Sequence, residues 1–184
     1  MDARLQEMLD HYEIRKTLKQ YCQACDRGDE LPMTSVYAED SWDDHGRVKA
    51  PGPEFARATL ASLSRNTDSM FHLLGQTTVN VRGDEAGAET YFIAVAPTSS
   101  EDGSRMLNQL GGRYVDVLHR VDGRWLISRR TVVRDWSITL PLEHEWEDVV
   151  PMTPGSRSNA DPCFAALGKA HSASGPAAES PSGR

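Results

Sequence analysis

Two residues far apart in the chain have the types that acid–base chemistry needs. His72 lies inside an apolar run, Met70-Phe71-His72-Leu73-Leu74, where an imidazole without a hydrogen-bond partner is costly to bury. A carboxylate that accepts the Nδ1 hydrogen fixes the tautomer, leaves Nε2 free to take a proton and stabilises the imidazolium that forms. Asp26, at the end of the first amphipathic stretch, is a candidate for that carboxylate. Read from the residues alone, His72 is more simply a core histidine satisfied by a neighbour, and Asp26 more simply a helix-ending surface residue in the turn-like Asp26-Arg27-Gly28-Asp29.

Tyr21 precedes Asp26 by five positions, which separates them by about 500° around a helix, equivalent to about 140°. The two do not share a face, so they approach a ligand from different depths. Tyr21 reads as core, or as a phenol donating to a leaving hydroxyl or an enolate oxygen. Arg130 follows Arg129 on a strand pattern, so one of the two points inward. An inward guanidinium needs an anion: a substrate carboxylate, a developing oxyanion, or an internal acid such as Asp116 or Asp135. Asp43-Asp44-His45 admits a metal reading but is more simply a polar strand end. Cys22-x-x-Cys25 has no second cysteine pair at zinc-like spacing, which leaves two ordinary helix residues. No metal and no cofactor are expected. Trp42, Phe55, Leu60, Met70, Phe92 and Trp136 are the candidates to line a substrate cavity, and their bulk favours an aromatic or polycyclic ligand.

The elements that must position these residues follow from periodicity. Leu5, Met8, Leu9, Tyr12, Ile14, Leu18, Tyr21, Cys22 and Cys25 recur at helical spacing, so a first helix ends near Asp26. A short second helix is predicted over 31–37, a brief strand over 41–45, and a third helix over 54–63 after Pro51-Gly52-Pro53. Four runs rich in β-branched and aromatic residues follow, 71–82, 86–96, 106–120 and 124–140. Asp122-Gly123 supplies a hairpin signal between the last two. Helices gathered first and strands later imply an α+β domain with helices on one face of a curved antiparallel sheet.

Length and charge bound the rest. At 184 residues the chain holds one domain, predicted over 1–150. Residues 151–184, rich in Pro, Gly, Ser and Ala, read as a largely disordered tail in which Phe164 and Leu167 form a short patch able to dock on a neighbouring subunit. The net charge of -7, from 20 basic against 27 acidic residues, repels phosphate backbones and argues against nucleic acid and anionic membranes. The N-terminus has no apolar signal region and no stretch approaches about 18 apolar residues. The expected location is the cytoplasm, in keeping with an odd count of 3 cysteines.

Three helices and then four long strands resemble the cone-shaped α+β barrel of the SnoaL-like, nuclear-transport-factor-like superfamily. The segment YEIRKTLKQYCQACDRGD is similar to its first helix, MFHLLGQTTVNV to the strand bearing its catalytic histidine, and HRVDGRWLISRRTVVRDW to its last hairpin. The resemblance spans residues 5–142 and is nearest to the scytalone dehydratase, hexachlorocyclohexane dehydrochlorinase and bile-acid 7α-dehydratase branches. It implies a cofactor-free lyase with His72, Asp26, Tyr21 and Arg130 at the site. The dehydrochlorinase has a lysine where this chain has Tyr21. The reaction implied is water loss, or loss of a small aldehyde, from a bulky aromatic, polycyclic or steroid-like molecule. The same scaffold serves isomerases, polyketide cyclases and non-catalytic β subunits. Homo-oligomers are implied, trimers before dimers.

Overall fold

A computed structural model describes residues 2–67, 69–99, 102–142 and 152–172. The first helix, α1 (Ala3–Arg27), starts where the Asp2 carboxylate accepts the Arg4 N–H at 2.8 Å. It stops at Gly28, whose φ of 68° is the left-handed conformation that glycine adopts without a Cβ clash. Of the stripe read from the periodicity, Ile14, Leu18, Tyr21, Cys22 and Cys25 are buried toward the sheet, whereas Leu5, Met8, Leu9 and Tyr12 in the first half of the helix are exposed. α2 (Glu30–Thr34) is shorter than expected, because the chain turns at Ser35 and Tyr37 already begins β1 (Tyr37–Asp44). A short β2 (Lys49–Pro51), absent from the sequence reading, pairs back on β1 before α3 (Gly52–Asn66).

β3 (Phe71–Arg82), β4 (Glu85–Ser99), β5 (Arg105–Val121) and β6 (Arg124–Pro141) form a meander. The sheet has six strands in the order β2-β1-β6-β5-β4-β3. It is not antiparallel throughout. β1 runs parallel to β6, because the chain passes through α3 and four strands before returning beside β1, a crossover long enough for parallel pairing. β2 and β3 are the edges, so the cone stays unclosed. Register shifts at Leu74/Thr77, Gly111/Gly112 and Val117/Leu118 are the bulges that curve the sheet around the helices. The Asp122-Gly123 turn has φ of 50° and 76°, the signature of a tight hairpin.

The core sits between α1, α3 and the concave face, around Ile14, Leu18, Met33, Val36, Phe55, Leu118, Trp125 and Ile127. One buried carboxylate ties α1 to the far hairpin: Asp10 accepts from Arg120 Nη1 at 2.7 Å and from Trp125 Nε1 at 3.1 Å. The Arg120 contact holds its carboxyl below the usual carboxylate range. The first part of the predicted tail has a place in the fold. Residues 152–172 lie against the C-terminal end of the chain's own α1 and include α4 (Pro162–Leu167), with Phe164 buried. Leu167 is exposed, and 143–151 and 173–184 lie outside the described residues.

Candidate functional site

Because α1 ends at Gly28, the Asp26 side chain leaves the last helical turn toward the start of β3. Alternation along β3 sends His72 and Leu74 inward and leaves Phe71 and Leu73 exposed. The two candidates meet there. Asp26 Oδ1 lies 2.5 Å from His72 Nδ1, and Asp26 Oδ2 accepts the His72 backbone N–H at 3.0 Å. Their side chains are only 9% and 5% exposed. With Nδ1 carrying the shared hydrogen, Nε2 is the ring's free basic position.

A cleft of about 550 Å³ reaches this pair. One wall is a single stripe of α1, Lys19, Cys22, Gln23, Asp26 and Arg27; the second is the β3 edge, Phe71, His72 and Leu74; the third is Gly155, Asp161 and Cys163 from the C-terminal segment.

Tyr21 and Arg130 do not line that cleft; they sit deeper. Arg130 is the inward arginine, while Arg129 and Arg134 are exposed. Its anion is internal: Arg130 donates from Nε and Nη2 to the two Asp116 oxygens at 2.7 and 2.9 Å. The guanidinium lies between the rings of Tyr21 and Tyr114, 4.2 Å from each. Burial opposes its charge, but Asp116 outweighs this and holds the guanidinium well above its usual range. Burial likewise pushes the phenols of Tyr21, Tyr37 and Tyr114 well up. Tyr114 stacks on Phe92 at 4.2 Å, and Phe92 lies 6.3 Å from the His72 ring. Aromatic rings thus occupy the interior between Arg130 and the histidine.

Of the cavity-lining candidates, Phe55, Leu60 and Phe92 are buried and Met70 packs on the core, its sulfur 3.9 Å from Cys25 Sγ. Trp42 and Trp136 are on the other face. Trp42 pairs across from Arg129 while its neighbour Asp43 pairs with Arg130, so strand alternation turns Trp42 to the convex side, 40% exposed. Trp136 lies over Gly111, with Leu73, Tyr91 and Ile93, in a separate groove of about 490 Å³ that Phe92 also reaches.

The sequence reading set Asp43 and His45 aside as a polar strand end, but the structure buries Asp43. Asp43 is fully buried, accepts the Tyr37 hydroxyl at 2.5 Å and contacts His45 Nδ1, while His45 stacks on Phe55 at 4.1 Å. His45 Nε2 lies 3.5 Å from the Tyr21 hydroxyl. Asp-x-His on a strand places both side chains on one face, and that spacing was the available signal. No group of three or more metal-ligating side chains gathers among the described residues. Cys22 and Cys25 are free and buried, and burial raises both thiols, Cys25 to about 12.

The fold recurs in solved structures. A protein of Novosphingobium aromaticivorans DSM 12444 provisionally assigned as a scytalone dehydratase superposes with a TM-score of 0.65 at 19% identity, covering 72% of this chain and 88% of its own. A type 2 hexachlorocyclohexane dehydrochlorinase gives 0.66 at 17%, covering 83% and 98%. The dehydrochlorinase of Novosphingobium barchaimii LL02 gives 0.66 at 16%, covering 83% and 99%. No curated protein matches the sequence. The SnoaL-like domain family matches residues 6–131, a span that runs from α1 through both partners of the Asp26–His72 pair to Arg130. On that match the chain belongs to the SnoaL-like domain family.

Proposed function

We propose that this chain is a cofactor-independent lyase in which His72, held by Asp26, removes a proton from carbon beside an activating group. The reading rests on one observation: the 2.5 Å contact between Asp26 and His72 Nδ1 at the wall of a cleft large enough for a bulky ring system. Asp26 holds the ring at Nδ1 and the backbone of the same residue at its N–H, and the imidazolium formed on proton abstraction stays next to a carboxylate. The electron pair of the broken C–H bond becomes the new double bond as the neighbouring C–O bond breaks. Nε2 then returns its proton to the departing hydroxide, so one water leaves and the histidine is neutral again. Loss of a small aldehyde uses the same base on a hydroxyl: Nε2 takes the O–H proton, the carbonyl forms as the adjacent C–C bond breaks, and the proton returns to the carbon left with the electron pair. Tyr21 and Arg130 enter this reading as donors to the departing oxygen only if a ligand reaches past Phe92; otherwise they organise the interior.

The filled interior favours a second reading on the same scaffold, a binding subunit without catalysis. An isomerase or polyketide cyclase would keep the base and return the proton to another carbon. The substrate class is a hydroxylated aromatic or polycyclic small molecule, and the working assembly is a homo-oligomer, a trimer before a dimer. The test is a panel of such compounds assayed by mass spectrometry for loss of water or aldehyde, with the parent chain and His72→Ala. A lyase loses roughly 100- to 10,000-fold in rate with its circular dichroism unchanged. Equal turnover by His72→Ala, or a variant that loses stability and no activity, overturns the reading.

A further inference from the structure

The last four carbonyls of a helix have no partner within it and must be satisfied from outside. In α1 the carbonyl of Ala24 accepts the Asp29 N–H at 2.8 Å, a Schellman-type closure around Gly28. The Cys25 carbonyl accepts the Gly28 N–H at 3.3 Å, and it and the next two also meet donors from the C-terminal segment. Arg157 Nη1 donates to the carbonyls of Cys25 at 2.7 Å and Asp26 at 3.3 Å, and His171 Nε2 donates to that of Arg27 at 3.0 Å. The segment is tied to the same helix end by Arg27 to Asp161 at 3.0 Å, and Ser172 closes on Asp29 at the start of α2. A cation at this end also meets the negative pole of the helix dipole. Burial lowers the basicity of Arg157, and the nearby Asp26 carboxylate acts in the opposite sense.

Every one of these anchors falls on residues 27 or 29 or on the two residues whose carbonyls flank the Asp26 peptide. The family match ends at residue 131, before this segment, which also supplies Gly155, Asp161 and Cys163 to the cleft. We propose that Arg157 is a positioning residue for the acid–base pair: by bridging the carbonyls of Cys25 and Asp26 it holds the last turn of α1 so that the Asp26 carboxylate stays on His72. The proposal rests on the reading of Asp26 and His72 as the working pair, but its test does not need a substrate.

The test is nuclear magnetic resonance on the isotope-labelled full chain, following the His72 Nδ1 hydrogen and the exchange of the α1 amides. In Arg157→Ala the amides of residues 25–28 are expected to exchange at least tenfold faster and the His72 Nδ1 resonance to shift or broaden away, while the Leu18 amide is unchanged. Arg157→Lys, which keeps the charge but not the position of Nη1 between the two carbonyls, is expected to give a smaller change in the same direction, and it carries the test if the alanine variant does not fold. Unaltered His72 Nδ1 and last-turn exchange in these variants, whether α4 stays docked or comes away, overturns the proposal. If instead His72→Ala keeps full turnover, the lyase reading fails while the exchange result stands.

Discussion

Asp26 grips His72 at two points, with one carboxylate oxygen on the ring and the other on the backbone N–H of the same residue. A two-point contact fixes both where the strand starts relative to α1 and how the imidazole is turned. Asp26→Asn preserves the shape but loses the charge that stabilises the imidazolium. We expect turnover to fall about 100-fold or more with an unchanged fold, read as kcat on any substrate the panel identifies. Retained kcat would leave Asp26 a structural residue.

Arg130 and Asp116 form an ion pair with both side chains 0% exposed. Removing one partner strands the other charge in the core, so Asp116→Ala is expected to cost on the order of 3–5 kcal/mol. The double variant Arg130→Met with Asp116→Leu removes both charges and is expected to be less destabilised than Asp116→Ala alone. Urea unfolding midpoints decide it, and equal losses in the single and double variants would contradict the stranded-charge account.

Gly112 lies beside the bulge between β5 and β6, where a Cβ would stand 2.1 Å from the Val133 carbonyl oxygen. That neighbour is backbone and cannot rotate away. Gly112→Ala is therefore expected to destabilise by roughly 1–3 kcal/mol, seen as a lower melting temperature. At Gly87 nothing lies within 4 Å of a built Cβ, and Gly87→Ala is the control expected to leave the melting temperature nearly unchanged.

Asp161 links the docked C-terminal segment to pH. Burial works against its ionisation, yet hydrogen bonds from Cys163 and Ser156 and the charge of Arg27 outweigh it and pull the carboxyl down to about 2. A carboxyl lowered on folding contributes stability that is present above its ordinary range near 4 and is lost as pH falls toward 2. Docking of residues 152–172 is thus expected to be constant from pH 7 to 5 and to weaken below 4. Limited proteolysis at stepped pH reads this directly. Release of the segment between pH 7 and 5 would show that Asp161 does not govern it.

Much of the architecture was legible along the chain. The stripe of Ile14, Leu18 and Cys25 specified α1 and its buried face, and the β-branched runs marked four strands whose cores match the structure. These are local properties, set by side-chain period and by turn residues such as Asp122 and Gly123. The parallel pairing of β1 with β6 was not legible, since it depends on where the chain returns after more than eighty residues. Trp42 and Trp136 show the same limit at the level of side chains. Their bulk suggested lining, but alternation and the bulge at Gly111/Gly112 turned them to the convex face.

Residue types by themselves determined that a histidine in an apolar strand needs a partner and that an inward arginine needs an anion, because burying either alone is costly. Only the tertiary structure chose the partners, Asp26 for His72 and Asp116 for Arg130. It also showed that Asp43 and His45 meet inside the cone and that Arg157 and His171, from the segment 152–172, cap α1. Asp26 and His72 come from distant segments, whereas Asp116 meets Arg130 through the register of β5 on β6, and what selects among the available acids is the distance left once sheet curvature and helix length are settled.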